Sequence, residues 1–176
     1  MDENEAILEP EKLLAVCDIK KDDDVADFGC GPGIFSIPIA RMTEGTVYCF
    51  DVLESALEAV NSRAQTVGLN NIVTRRVNLE KIGGSGLDDG VMEHVIMRKI
   101  LLQNNDKEIL FSEACRVLSG KGKLLVVGWN KEVIAGLGMS ERLDREEVKE
   151  FATKGGFMGT QEIDAGEYHY AFIFTK

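Results

Sequence analysis

A glycine-rich segment and an acid that follows it are the residues whose types and spacing indicate chemistry. The segment runs Asp27-Phe28-Gly29-Cys30-Gly31-Pro32-Gly33, and Asp51 lies 18 residues beyond its last glycine. Glycines permit a sharp backbone turn and let a ligand approach without a Cβ in the way. A carboxylate at Asp51 can accept hydrogen bonds from the 2′- and 3′-hydroxyls of a ribose. Together they predict a nucleoside cofactor site, whereas the glycines alone would also suit a tight strand–helix turn.

Two common nucleotide-binding patterns fail at this segment. The dinucleotide fingerprint requires a third glycine where Ile34 stands, and the P-loop requires a Gly-Lys-Ser/Thr sequence that does not follow. The amides at the start of a helix bind a carboxylate as readily as a phosphate. The segment therefore does not require a phosphate, and the amino-acid end of a cofactor would suit it equally.

Composition predicts an ordinary globular chain and excludes several classes of partner. With 176 residues, 44% apolar and 28% charged, the chain can form one domain over residues 1–176 with a substantial core. Its net charge of -10 argues against binding to DNA, the RNA backbone or anionic membranes, which favour a positive field. No apolar run is long enough to span a bilayer, and we expect no membrane partner.

The cysteines and the N-terminus predict a cytoplasmic location. Cys17, Cys30, Cys49 and Cys115 are scattered, without a C-x-x-C pair or a metal-ligand spacing. Buried, reduced thiols are the interpretation we prefer, with disulfide pairing as the alternative. Residues 1–10 are acidic and lack the hydrophobic core of a secretory signal, so we expect no such signal.

Strands and helices are predicted to alternate along the chain. The predicted strands are Val25–Phe28, Thr46–Phe50, Ile72–Val77, His94–Arg98, Lys123–Val127, Gly159–Ile163 and Tyr168–Thr175. The predicted helices are Glu9–Cys17, Ile34–Met42, Glu54–Val67 with Gly68 as its cap, Lys107–Leu118, and one from the N-cap Asp144 through Lys154. Gly120-Lys121-Gly122 predicts a turn before the fifth strand.

This order of elements predicts the fold class. Five strand–helix units indicate an α/β protein with a parallel sheet and helices on both faces. Only Asp164 to Glu167 join the last two strands, which must therefore form an antiparallel hairpin. We expect a Rossmann-like, doubly wound sheet of seven strands, mostly parallel, with one antiparallel strand near the C-terminal edge. Ligands of such sheets bind beyond the carboxyl ends of the strands.

The chain resembles the class I S-adenosylmethionine-dependent methyltransferases over about Glu9 to Lys176. Val25 to Gly33 is similar to their first motif, hydrophobic-x-D-x-G-x-G-x-G, and Asp51 matches their ribose-binding acid. The run Arg116-Val117-Leu118-Ser119-Gly120-Lys121-Gly122 resembles their R-V-L-x-P-G-G turn, and the closing hairpin fits their fold. The resemblance implies a methyltransferase with S-adenosyl-L-methionine as cofactor.

The resemblance also assigns residues to the parts of the cofactor. These are Asp27, Gly29, Cys30, Gly31 and Gly33 for the methionine portion, Asp51 for the ribose, Val52 for packing on the adenine, Asn78 and Leu79 for the adenine edge, and Met97 near the transferred methyl. The amide oxygen of Asn78, where the family often has Asp, could accept from the exocyclic amine of adenine.

The substrate side of the site is less defined. Arg98 would lie near the transferred methyl, and Trp129 after the fifth strand could form an apolar wall. Arg98, Lys99 and Lys131 could attract an anionic substrate, with ordinary exposed charges as the alternative. His94 and His169 are expected to be structural, so the sequence indicates no general base.

Several functions remain open from the sequence. A methyltransferase acting on a small molecule leads, and the alternatives are a methyltransferase acting on protein or RNA and a cofactor-binding protein without catalysis. A dinucleotide oxidoreductase is disfavoured by Ile34 and the hairpin. Only about 15 residues separate the fifth strand from the helix at Asp144, so either the substrate is small or a second copy or partner completes the site.

Overall fold

The computed structural model describes residues 8–98, 100–103, 106–130 and 143–176. In these residues the strands are β1 Val25–Phe28, β2 Val47–Asp51, β3 Ile72–Arg76, β4 Met92–Met97, β5 Leu118–Trp129, β6 Gly159–Ile163 and β7 His169–Thr175. The helices are α1 Pro10–Cys17, α2 Ser36–Met42, α3 Glu54–Thr66, α4 Ile100–Gln103, α5 Lys107–Val117 and α6 Arg145–Lys154. None of these helices is long and apolar enough to cross a membrane.

All seven strands form one sheet, in the order β3-β2-β1-β4-β5-β7-β6. The strands β1 to β5 pair in parallel, and β7 lies antiparallel between β5 and β6. This confirms the predicted mostly parallel, seven-stranded sheet and its closing hairpin. The strand order reverses between β1 and β4, and such a reversal opens a ligand crevice at the carboxyl ends of the strands.

Each face of the sheet carries its own hydrophobic layer, because side chains of a strand alternate between the two faces. Ala26 and Phe28 belong to one layer, in which the rings of Phe28 and Phe50 meet edge to face at 5.6 Å. Val25 and Ile96 belong to the other layer, with Cys49. Asp27 therefore lies at the end of a fully buried strand, between two packed layers.

Two helix termini that the sequence predicts are present. Gly68 follows α3 with a φ of 71°, and the N–H groups of Gly68 and Leu69 donate to the carbonyls of Gln65 and Ala64. This is a Schellman motif, which requires a left-handed residue. Asp144 and Glu147 form a reciprocal capping box at the start of α6.

The structure corrects the turn predicted at Gly120-Lys121-Gly122. These residues lie inside β5, which begins at Leu118. Leu118 pairs with Met92 and Lys123 pairs with His94, so β5 has four residues between these pairs where β4 has one. The extra residues form an irregularity that bulges from the ladder while the strand continues, which explains how a turn-like sequence remains within a strand.

The bounds of the helices differ less from those predicted from the sequence. The helix α2 begins at Ser36, two residues later than predicted, because residues 33–35 complete the turn after the glycines. The short helix α4 was not predicted. All four cysteines are free, which agrees with the preferred interpretation of reduced thiols.

Candidate functional site

A crevice with two lobes opens beyond the carboxyl ends of β1, β2 and β4. The glycine-loop lobe has a volume of about 180 Å³ and is lined by Asp27, Gly29, Cys30, Gly31, Pro32, Ile34, Phe35, Asp51, Leu53 and Arg98. The strand-end lobe has a volume of about 30 Å³ and is lined by Gly29, Phe50, Asp51, Val52, Val77, Asn78, Leu79 and Ile100. Gly29 and Asp51 border both lobes, which are therefore adjoining parts of one crevice.

The glycines of the loop serve different purposes. Gly29 has a φ of 74°, and a Cβ there would lie 2.7 Å from Cβ of Ile100, so helix α4 packs directly on its backbone. Gly31 has a φ of 51°, and a Cβ there would meet no atom within 4 Å. The N–H groups of Gly29 and Cys30 donate to the carbonyl of Phe50 at 2.8 and 3.0 Å. The loop is thus fixed to β2, and its open space lies at Gly31.

Asp51 stands at the junction of the two lobes with its carboxylate already oriented. Oδ2 accepts a hydrogen bond from the N–H of Gly31 at 2.9 Å, and Oδ1 accepts one from the N–H of Leu53 at 2.9 Å. Each carboxylate oxygen has a second lone pair, so both can still accept a bond from a ligand. The half-buried side chain is therefore prepared to bind a pair of hydroxyls.

A buried pair of opposite charges occupies the glycine-loop lobe. Asp27 is only 2% exposed, and Oγ of Ser36 donates to its Oδ2 at 2.6 Å. Burial raises the pKa of Asp27 to about 6, although the Ser36 hydrogen bond and the charge of Arg98 oppose this shift. Arg98 is itself 9% exposed and belongs to the lobe wall. The alternative that Arg98 is an ordinary exposed charge is therefore wrong.

Cys30 contributes its backbone to the site. Hydrogen bonding with Cys49, burial and nearby carboxylates raise the pKa of its thiol far above the ordinary value. The thiolate is the nucleophilic form of cysteine. A protonated, buried Cys30 therefore supports no covalent chemistry.

The strand-end lobe combines apolar side chains with one carboxamide. Val52 lies at its rim with 49% of its surface exposed, and Leu79 is buried at its base. Oδ1 of Asn78 accepts from the N–H of Glu80 at 2.8 Å, which fixes the orientation of the carboxamide. The second lone pair of Oδ1 and the two N–H donors of Asn78 are available to the polar edge of a ring.

Some predicted site residues lie elsewhere. Gly33 has a φ of 82° and borders a separate cavity of about 440 Å³, with its missing Cβ facing Val60. Met97 is fully buried in the core layer of Phe28 and is not among the described residues lining either lobe. Its placement near the transferred methyl stays a prediction without support here.

Trp129, at the end of β5, packs on the imidazole ring of His169, with 4.3 Å between ring centroids. It is buried and is not among the residues lining the two lobes, so its role as a substrate wall stays a prediction. Nε2 of His94 lies 2.9 Å from Oδ2 of Asp23, at the opposite end of the sheet from the crevice. Lys99 and Lys131 lie outside the described residues.

Sequence reasoning missed three residues that shape the crevice. Phe35 closes the glycine-loop lobe, and Leu53 orients Asp51 through its N–H. Ile100 packs on Gly29 and lines the strand-end lobe. The apolar run Ile100-Leu101-Leu102 after the fourth strand was the one signal that could have indicated such a contact.

A family model described as a methyltransferase domain matches residues 19–171. The chain belongs to this family. The match confirms the resemblance to the class I S-adenosylmethionine-dependent methyltransferases, and it spans β1 to β6 with the whole crevice.

One named relative and a solved structure are similar to this chain. The chain is 29% identical over 123 residues to ribosomal protein L11 methyltransferase of Thermotoga neapolitana, covering 64% of this chain and 46% of the relative. It spans about half the length of the curated relatives it matches. A S-adenosylmethionine-dependent methyltransferase of Aquifex aeolicus has a TM-score of 0.87 at 22% identity, covering 99% of this chain and 93% of the other.

A second solved structure has a small acceptor in its name. The geranyl diphosphate C-methyltransferase of Streptomyces coelicolor A3(2), solved with Mg²⁺, geranyl diphosphate and S-adenosyl-L-homocysteine, has a TM-score of 0.77 at 17% identity. It covers 94% of this chain and 76% of that chain. At these identities the likeness shows the fold.

Proposed function

We propose that this chain binds S-adenosyl-L-methionine in the two-lobed crevice and transfers its methyl group to a small-molecule acceptor. The observation that carries the proposal is the position of Asp51. Its carboxylate, held by the N–H groups of Gly31 and Leu53, lies between a lobe with opposite charges and a smaller lobe that Val52 and Asn78 line. This order matches the order of amino acid, ribose and adenine along the cofactor.

The residues present fit each part of that cofactor. The open space at Gly31 and the charge of Asp27 suit the amino-acid end, which carries an ammonium group. Asp51 accepts from the ribose hydroxyls, and a hydrogen bond to a charged partner contributes about 1.5–3 kcal/mol. Val52 and Asn78 border the adenine.

The sulfonium of S-adenosylmethionine supplies a methyl group that is already activated. The protein therefore mainly has to align the acceptor with the methyl carbon and exclude water, which is a proximity effect. The raised pKa of the Cys30 thiol gives this side chain no part in the transfer. The bond from carbon to the acceptor forms as the carbon–sulfur bond breaks, and the electron pair of the latter remains on sulfur.

A small acceptor is favoured over a macromolecule. The connection between Trp129 and Asp144 is too short for a large recognition insert, and the neighbour from Streptomyces is named for a small acceptor. The relative from Thermotoga, named for a ribosomal protein, makes methylation of a protein the alternative. A cofactor-binding protein without catalysis is the other alternative. We propose a cytoplasmic location, because all four cysteines are free thiols.

Two experiments test the proposal. Calorimetry with S-adenosylhomocysteine and with NAD tests the cofactor, and a preference for NAD would reject it. Incubation with methyl-labelled cofactor and separate metabolite, protein and RNA pools tests the acceptor. Label in the metabolite pool supports a small molecule, label in protein or RNA supports the alternatives, and tight binding without label in any pool supports a protein without catalysis.

A further inference from the structure

The glycine-loop lobe has an uneven set of charges. Of the described residues that line it, Asp27 and Asp51 are acids and Arg98 is the one cation. The whole chain carries a net charge of -10. An anionic group that enters this lobe therefore meets repulsion from two carboxylates and a favourable interaction with a single guanidinium.

Arg98 occupies a defined place opposite Asp27. In the pairing of β1 with β4, Asp27 is level with Ile96, and Arg98 follows Ile96 by two residues. Arg98 lies in the bend directly after β4, and it lines the same lobe as Asp27. Arg98 is 9% exposed, so its head group lies within the wall of the lobe and away from the crevice mouth.

An amino acid has two charges that match this arrangement. Its ammonium is complementary to the carboxylate of Asp27, and its carboxylate is complementary to a guanidinium, whose planar fork can bind two oxygens at once. A free anionic acceptor would have to enter a lobe of about 180 Å³ that the cofactor itself occupies. The lobe therefore favours the cofactor over the acceptor as the partner of Arg98.

We infer that Arg98 binds the α-carboxylate of the cofactor's methionine moiety, opposite Asp27, and so selects the intact amino-acid end of the cofactor. This inference rests on the proposed function, since it requires that the crevice binds S-adenosylmethionine. It replaces the role on the substrate side that the sequence suggested for Arg98. It also predicts that decarboxylated S-adenosylmethionine, which retains the sulfonium and the amine, binds weakly.

The test compares two ligands and two proteins by calorimetry at pH 7.5. Wild type is expected to bind S-adenosylmethionine about 10- to 100-fold more tightly than decarboxylated S-adenosylmethionine, which is the range for a charge-assisted contact. Arg98→Met is expected to lose affinity for S-adenosylmethionine by a similar factor. Its affinity for the decarboxylated ligand should change by less than about threefold, which would also show that the variant is folded.

Two further variants distinguish a direct contact between Arg98 and the cofactor's carboxylate from the general effect of a positive charge. Arg98→Lys keeps the charge without the planar fork and should fall between wild type and Arg98→Met. Arg41→Met removes an exposed cation from α2, outside the lobe, and should leave the ratio of the two affinities unchanged.

The outcomes are distinct. Equal affinity of wild type for the two ligands, or an equal loss of both in Arg98→Met, would overturn the role of Arg98 and leave the proposed function intact. Failure of wild type to bind S-adenosylmethionine or S-adenosylhomocysteine would overturn the proposed function itself.

Discussion

The backbone N–H of Gly31 donates to Oδ2 of Asp51 at 2.9 Å, which joins the open point of the glycine loop to the acid at the end of β2. The two residues are 20 positions apart in the chain. This hydrogen bond helps to hold both the loop that we propose faces the amino-acid end of the cofactor and the carboxylate that we propose faces its ribose. A cofactor bound there would meet a site that is already organised, and less of its binding free energy would be lost in ordering the protein.

Replacing Asp51 tests this arrangement directly. Asp51→Ala is expected to weaken binding of S-adenosylhomocysteine by about 1.5–3 kcal/mol, since it removes a charged acceptor of the ribose hydroxyls. Calorimetry measures the effect. Asp22→Ala removes an exposed acid of the turn before β1 and serves as the control, with no change expected. An unchanged affinity in Asp51→Ala would remove Asp51 from the site.

Alanine substitutions at Gly31 and Gly68 separate an effect on cofactor binding from the cost of backbone strain. Both have a positive φ, 51° and 71°, and a Cβ at either would meet no atom within 4 Å. Each substitution by alanine is therefore expected to lower the free energy of unfolding by about 1–2 kcal/mol, the cost of a left-handed residue with a side chain. Only Gly31→Ala places a methyl group in the lobe, and only it should weaken binding of S-adenosylhomocysteine, by about tenfold or more.

Gly29→Ala should lower the free energy of unfolding more than Gly31→Ala or Gly68→Ala does. Its Cβ would lie 2.7 Å from Cβ of Ile100, so the variant is expected to lose about 2–5 kcal/mol of stability from crowding and strain together. Urea unfolding of the three variants checks the order. A Gly29→Ala protein as stable as Gly68→Ala would contradict the packing of α4 on the loop.

The sheet and the position of Asp51 were predictable from local signals. Short apolar strands that alternate with amphipathic helices indicate a parallel sheet, and the five residues between β6 and β7 allow only a hairpin. Gly31 follows β1 and Asp51 ends β2, which brings both residues to the same edge of the sheet. The location of both residues in the fold therefore follows from the sequence alone.

Arg98 and Ile100 show why the rest was not predictable. A charged residue after a strand is usually exposed, and nothing local indicates that Arg98 forms the wall of a lobe with Asp27. The contact of Ile100 with Gly29 joins residues far apart in sequence. The turn expected at Gly120-Lys121-Gly122 is wrong for a related reason. The pairs that Leu118 and Lys123 form with distant residues of β4 hold both sides of this flexible sequence in one strand, while the three residues bulge from the ladder.

The raised pKa of Asp27 predicts that its ionised carboxylate lowers the free energy of unfolding at neutral pH. A carboxyl whose pKa is 3.8 when unfolded and about 6 when folded contributes stability that is complete below pH 3.8 and lost as the pH rises through 6. At pH 7 the loss is about 3 kcal/mol. Asp27→Asn, which keeps an acceptor for Ser36, should raise the free energy of unfolding at pH 7. The gain should shrink as the pH falls from 7 to 5.

The same group predicts a pH dependence of cofactor binding. Protonation of Asp27 removes the partner of the ligand's ammonium, so the affinity for S-adenosylhomocysteine should fall as the pH drops through about 6. Asp27→Asn should bind weakly at all pH values, without this step. Calorimetry between pH 5 and pH 8 on both proteins checks it, and a step of equal size in the variant would assign the titration to another group.

Glu113 of α5 should stabilise the loop that contains Gly83 and Ser85. The buried carboxylate accepts from the N–H groups of Gly83 and Ser85 and from Arg116. Despite its burial, these hydrogen bonds lower its pKa to about 2. Glu113→Gln leaves Arg116 without its charged partner and should lower the free energy of unfolding at pH 7 by about 3 kcal/mol.

The direction of the pH effect separates Glu113 from Asp27. A carboxyl whose pKa is lowered from 4.5 to about 2 contributes stability that is complete above pH 4.5 and lost as the pH falls through 2. The difference between wild type and Glu113→Gln should therefore be constant from pH 8 to pH 5 and shrink below pH 4.5. Urea unfolding across this range measures it. A difference that instead grew toward low pH would show that the hydrogen bonds to Gly83 and Ser85 do not hold the charged form.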